Sequence, residues 1–154
     1  MKARAAVILI RGDKIALIER HRQGLHYFVF PGGKVEAGET PAHAASREAE
    51  EELGLKVHVH QMVAEVWYLG TPQYYFLAEV TGGQFGQGMG SEMDSAPDSK
   101  KGIYRPTWMQ LTSLLDQPVM PKLMAEFVRK AIHAGWPAKS IVVTDQTPDE
   151  TAQV

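Results

Sequence analysis

Residues 40–54, TPAHAASREAEEELG, constrain the fold more than any other stretch of the chain. Thr40 is a residue that caps helix N-termini, Pro41 suits the first helical position, and Gly54 suits the stop. Between them Ala42, Ala45, Ala49 and Leu53 recur at helical spacing, which predicts a helix over 41–53 with one apolar stripe. Three of the four are alanines, so that face must approach its neighbour closely, as a helix laid on a sheet does.

Strand signals surround this helix. Ala5 to Ile10 and Ile15 to Ile18 read as a hairpin about Arg11-Gly12-Asp13-Lys14, and Tyr27 to Phe30 as a third strand cut off by Pro31-Gly32-Gly33. Strands are also expected over Lys56 to Tyr68, Tyr74 to Val80 and Ile103 to Met109. A second helix is expected over Pro121 to Ala134, with Leu123, Phe127 and Ala131 on one face. The segment 82–102 carries six glycines and reads as a long functional or unstructured loop. One domain over 1–136 is expected, followed by a partly ordered C-terminal extension, 137–154, with a β-branched patch at Ile141-Val142-Val143. At 154 residues and 44% hydrophobic content the chain can bury a core of its own. Its 16 basic and 18 acidic residues leave a formal net charge of −2, which argues against stable nucleic-acid or membrane binding. No cysteine is present, so disulfides, thiolate metal sites and cysteine nucleophiles are excluded. The N-terminal apolar run is too short to span a bilayer or to serve as a secretion signal, and the expected location is the cytoplasm.

The helix itself holds a contradiction. Glu48, Glu50, Glu51 and Glu52 crowd its C-terminal end, where the helix dipole disfavours negative charge. Like charges at spacings of three and four each cost roughly 0.2–0.5 kcal/mol. At about 100° per residue, Glu48, Glu51 and Glu52 share one arc beside the apolar stripe and Glu50 points away. Charge runs usually mean a solvated face. Here no lysine or arginine follows Glu48 at a spacing of three or four, and a glycine-rich turn stands nearby. A divalent cation would turn the repulsion into attraction, and clustered carboxylates suit Mg²⁺ or Mn²⁺ together with phosphate oxygens.

Gly33, Glu39, Arg47, Glu48, Glu51, Glu52, Gly54 and Leu55 stand at the spacing G-x5-E-x7-R-E-U-x-E-E-x-G-U, where U is aliphatic and Ala49 fills the first such place. The chain thereby resembles the Nudix (MutT-like) hydrolases. The resemblance implies a single-domain α/β/α sandwich with a mixed β-sheet. It also implies metal-dependent hydrolysis of a nucleoside diphosphate linked to another moiety, by water attack at phosphorus. By the same resemblance Glu48, Glu51, Glu52 and the Gly33 carbonyl are metal ligands for Mg²⁺ or Mn²⁺, and Arg47 and Glu39 are supports. The general base is Glu48 or Glu92, the glutamate of the long loop; Glu92 is otherwise an extra ligand or has no role.

Arg20, His21, Arg22, His26, Tyr27 and Phe28 are candidate substrate contacts, as cations for phosphate and rings for a base, with one of Tyr27 and Phe28 expected in the core. Lys100 and Lys101 could add charge if the long loop closes as a lid. His58 and His60 read as an exposed strand face, and Trp67, Trp108 and Trp136 as core or interface residues. The expected partner is a small-molecule nucleotide, first a nucleoside triphosphate, with an ADP-sugar or dinucleoside polyphosphate as the alternative. The resemblance also makes a homodimer plausible. A non-catalytic binding module of the same fold is a further alternative, against which the intact glutamate set stands.

Overall fold

In a computed structural model, residues 2–86 and 102–146 are described. Strands β1 (Arg4–Arg11) and β2 (Lys14–Arg22) form the expected hairpin, turning at Gly12 with φ 63°. They are followed by β3 (Leu25–Val29), β4 (Gly32–Lys34), helix α1 (Pro41–Leu53), β5 (Leu55–Tyr68) and β6 (Thr71–Gly83). Then come β7 (Ile103–Gln110), a 3-10 turn (Leu111–Ser113), β8 (Val119–Met120), helix α2 (Lys122–Ala134) and β9 (Ile141–Thr144). The sheet runs β8-β3-β2-β1-β6-β5-β9, with β4 paired to β1 and β7 to β2 off this path. It is mixed: β1/β6, β3/β8 and β5/β9 are parallel and the remaining pairs antiparallel.

Alternation along the strands builds two cores. Ala5, Val7 and Leu9 of β1, Ala16 and Ile18 of β2 and Phe76 and Ala78 of β6 pack with Ala44, Ala45, Ala49 and Leu53 of α1. Their neighbours Ile8, Ile15, Leu17 and Tyr75 point the other way and pack with Met124, Ala125 and Val128 of α2. The result is the expected α/β/α sandwich, with a helix on each side of the sheet. Each fully buried aliphatic side chain contributes roughly 1.5–3 kcal/mol. A slip of one residue would exchange the two faces, so packing on both sides fixes the register.

Some boundaries differ from the sequence reading. β2 continues past Ile18 to Arg22, and β6 past Val80 to Gly83, because ladder pairing carries polar residues beyond the apolar run. On α2 the deeply buried residues are Met124, Ala125, Val128 and Ala131. Leu123 and Phe127 lie at the margin of that face, partly buried, and Trp136 packs edge-on to Phe127. Within the expected extension, Ile141–Thr144 joins the sheet as β9, parallel to Ala64–Trp67 of β5. Among the described residues, no helix is long and apolar enough to cross a membrane.

Candidate active site

Helix α1 is capped as its ends require. The Thr40 side chain accepts a hydrogen bond from the His43 N–H at 3.1 Å, and Gly54, at φ 78°, donates its N–H to the Glu50 carbonyl at 2.9 Å. The alanines bring the helix onto β1, and β4 pairs with the outer part of the same strand, with Ala5 opposite Gly33. Gly32 and Gly33, in β4, are thus held against the glutamate arc.

Glu52 is nearly inaccessible, at 3% exposure, and both of its oxygens are engaged. Oε1 accepts the Gly32 N–H at 2.8 Å, and Oε2 accepts the Tyr104 hydroxyl at 2.7 Å. Hydrogen bonds of this kind compensate the desolvation of a buried carboxylate. Glu48 lies directly above Gly33, where any Cβ would overlap its carboxylate. Gly32 is equally confined, since a Cβ there would overlap the carbonyl of Ala5 and the Cα of Ala6. Both glycines are required by close approach.

Arg47 organises the outer half of the site. Its Nε donates to Glu39 Oε2 at 2.7 Å and one terminal nitrogen donates to Glu39 Oε1 at 3.0 Å, a two-pronged pair. That nitrogen also donates to the Lys34 carbonyl at 3.0 Å. The other terminal nitrogen donates to Glu48 Oε2 at 3.3 Å and Glu51 Oε2 at 3.1 Å, so the two carboxylates converge on one point. The arginine thereby joins the loop after β4 to the helix. It also relieves the acid crowding from the N-terminal side of Glu48, one residue before it in the helix.

The carboxylates differ in acidity. The Arg47 hydrogen bond, helped by the Glu36 N–H, lowers Glu39 to about 2. Burial and the neighbouring Glu51 charge raise Glu48 above the ordinary glutamate value, against the opposing pull of Arg47. Glu50 is exposed, as its position on the wheel predicts.

The structure divides the candidate substrate contacts. Arg20 pairs with Tyr27 on one side and Tyr104 on the other, across β3, β2 and β7. Its guanidinium carbon lies 4.4 Å from the Tyr104 ring centroid and 5.9 Å from that of Tyr27. Both Arg20 and Tyr27 are buried, so this row forms a floor continuing to Glu52 through Tyr104. Phe28 instead packs in the α2-side core, and the His26 ring is tilted against it, with ring centroids 5.1 Å apart. Strand alternation thus puts Phe28 and His26 on the face opposite Tyr27 and Arg20, and the expectation that at least one of Tyr27 and Phe28 is buried holds for both. Arg22 is half-buried, and its Nε has no hydrogen-bond partner among the described residues.

Glu92, Lys100 and Lys101 lie outside the described residues. The adjoining positions are well anchored. Gly86 N–H donates to the Leu53 carbonyl, Phe85 stacks on Trp108 with centroids 5.1 Å apart, and Gly102 is pressed against the His21 carbonyl. Tyr104, which sequence reasoning missed, enters the site from β7. A phenol in a strand carries no local signal of its partner, although the pairing of Tyr104 with Arg20 would reveal it once the register of β2 and β7 is known.

Comparison with known proteins shows the family. Residues 1–132 match the family model described as NUDIX domain. The 8-oxo-dGTP diphosphatase of Haemophilus influenzae is 69% identical over 26 residues, a stretch spanning 17% of this chain and 19% of that protein. A NUDIX hydrolase from Nitrosomonas europaea superposes with a TM-score of 0.72 at 16% identity, covering 94% of this chain and 79% of that one. An ADP-ribose pyrophosphatase from Streptococcus suis superposes with a TM-score of 0.63 at 20% identity, covering 94% of this chain and 98% of that one.

Proposed function

The chain belongs to the NUDIX family, and we propose that it is a Nudix pyrophosphohydrolase that hydrolyses nucleoside triphosphates to the monophosphate and pyrophosphate. The observation that carries the reading is the gathering of Glu48, Glu51 and Glu52 around Gly32-Gly33, braced by Arg47 and Tyr104.

The donor set fits a divalent cation. Glu48 and Glu51 aim oxygens at one positive nitrogen, and the Glu48 carboxylate fits against the Gly33 backbone because Gly33 has no Cβ. Hard oxygen ligands of this type suit Mg²⁺ or Mn²⁺. Glu48, Glu51 and Glu52 would hold the ion, with the Gly33 carbonyl as a further ligand, and the ion would neutralise phosphate charge and activate the phosphorus to attack.

The chain's own residues supply position and proton transfer. The Gly32 N–H and the Tyr104 hydroxyl hold Glu52 in one orientation, while Arg47 holds Glu39, Glu48 and Glu51 in mutual register. Glu48 Oε2 is engaged by Arg47, which leaves Oε1 to accept the proton of the attacking water. Its raised proton affinity suits that task. The water oxygen bonds to phosphorus, the bridging P–O bond breaks, and pyrophosphate leaves. Arg22, half-buried on the same strand as Arg20 with an Nε that has no hydrogen-bond partner among the described residues, would supply a cation for phosphate oxygens.

The test is a panel of nucleoside triphosphates (8-oxo-dGTP among them), ADP-sugars and dinucleoside polyphosphates, each with Mg²⁺ and Mn²⁺, for wild type and Glu52→Gln. Release of pyrophosphate from a triphosphate, lost in the variant, is the expected result. Turnover confined to ADP-sugars or dinucleoside polyphosphates would overturn the substrate and keep the reaction class. No turnover of any compound would overturn catalysis in favour of a binding module.

A further inference from the structure

A second cluster of ligand-type side chains lies on the other face of the sheet. The β2–β3 connection is a two-residue turn, Gln23 and Gly24, both with positive φ (52° and 80°), as a type I′ hairpin requires. Arg22 and Leu25 flank the turn, so His21 stands directly opposite His26. Glu19, two residues before His21, shares its face. Because Ile15 and Leu17 pack toward α2 while Ala16 and Ile18 pack toward α1, Glu19 and His21 continue the α2 side, away from Glu48, Glu51 and Glu52.

The three side chains converge. The two imidazoles stack with centroids 4.1 Å apart and planes 9° from parallel. His26 Nε2 lies 2.8 Å and His21 Nε2 3.3 Å from the same oxygen, Glu19 Oε2. All three offered ligand atoms fall within 4.8 Å of one another. The other carboxylate oxygen, Oε1, lies 3.8 Å from Arg105 Nε, while Oε2 is turned to the histidines. The histidine side chains are 41% and 44% exposed and that of Glu19 is 21% exposed, so an ion has an entry path and room to keep water.

We propose that Glu19, His21 and His26 form a transition-metal site, of the class that takes Zn²⁺ or Co²⁺, separate from Glu48, Glu51 and Glu52. Two imidazoles and one carboxylate with an open fourth position match the donor set of such ions, whereas Mg²⁺ prefers oxygen alone. The tight hairpin sets the histidine pair before any ion arrives, so little ordering accompanies binding. An ion there ties the β2–β3 hairpin together and stabilises the folded state by mass action.

The test is calorimetric titration of Zn²⁺ into the full chain in excess Mg²⁺, repeated with His21→Ala, His26→Ala and Glu52→Gln. The expected result is one Zn²⁺ site whose affinity falls at least about tenfold in each histidine variant and is unchanged in Glu52→Gln, with a Zn²⁺-dependent rise in Tm that the histidine variants lack. Co²⁺ should give visible absorption bands of a low-symmetry nitrogen–oxygen site in wild type and lose them in His26→Ala. Zn²⁺ binding that survives both histidine substitutions, binding lost in Glu52→Gln alone, or no binding at all would overturn the assignment. Circular dichroism confirms that the histidine variants fold, and His26→Gln offers a second replacement at an exposed position.

Discussion

The Tyr104 hydroxyl donates a 2.7 Å hydrogen bond to Oε2 of Glu52, joining β7 to the last turn of α1. With Oε1 held by Gly32, the carboxylate has one orientation, and the Arg20 guanidinium beneath the Tyr104 ring keeps the phenol in place. Tyr104→Phe should keep the ring and lose the bond. A hydrogen bond to a charged group is worth about 1.5–3 kcal/mol, so urea unfolding should show a loss near the lower end of that range. Mn²⁺ affinity, read by electron paramagnetic resonance, should weaken by about 10–100-fold, as expected for an outer partner of a metal ligand. Unaltered Mn²⁺ affinity would remove Tyr104 from the site.

Glu52→Gln tests the ligand itself. The amide preserves shape and can still accept the Gly32 N–H through its oxygen, so the fold should persist. Turnover should fall by more than about 100-fold, beyond the usual effect of an outer partner. Retention of wild-type turnover with an unchanged circular-dichroism spectrum would contradict the assignment of Glu52 to the metal.

Gly33→Ala places a methyl group where the Glu48 carboxylate lies. The carboxylate must move, since its alternative is to displace β4 from β1. Overpacking typically costs about 1–3 kcal/mol, which melting experiments would register. The larger effect should be on kcat, because the group moved is the proposed proton acceptor. A variant with lowered Tm but full kcat would separate Gly33 from the chemistry.

The helical half of this site was legible in the sequence because its information is local. Spacing alone places Glu48, Glu51 and Glu52 on one arc and Glu50 outside it. The resemblance to the Nudix pattern adds Gly33, Glu39 and Arg47, all within 20 residues of Glu52. What stayed hidden depends on pairing between distant strands. Tyr104 reaches Glu52 across 52 residues, and Arg20 becomes a buried floor only because β2 lies between β3 and β7. The same holds for β9: Ile141-Val142-Val143 shows β-propensity, but β5 as its parallel neighbour is a property of the assembled sheet. The separation of Tyr27 from Phe28 follows from alternation, yet which face meets the carboxylates is settled by where α1 docks.

The Arg47–Glu39 pair makes the acid limb of stability predictable. Glu39 titrates at about 2 in the folded chain against an ordinary value of 4.5, so the unfolded chain binds its proton first as acid is added. A lowered folded value means that the contribution is complete above about pH 4.5 and is lost as pH falls through about 2. Glu39→Gln should therefore be less stable than wild type at pH 6, and the difference should shrink steadily below pH 4.5. Urea midpoints for the two proteins at pH 6, 4 and 3 measure this directly. Arg47→Lys provides the complementary comparison, because lysine keeps the charge and loses the two-pronged contact and the simultaneous reach to Lys34, Glu48 and Glu51. If charge alone held the loop to the helix, the lysine variant would match wild type at pH 6. The geometry instead requires that it fall below wild type in both stability and turnover.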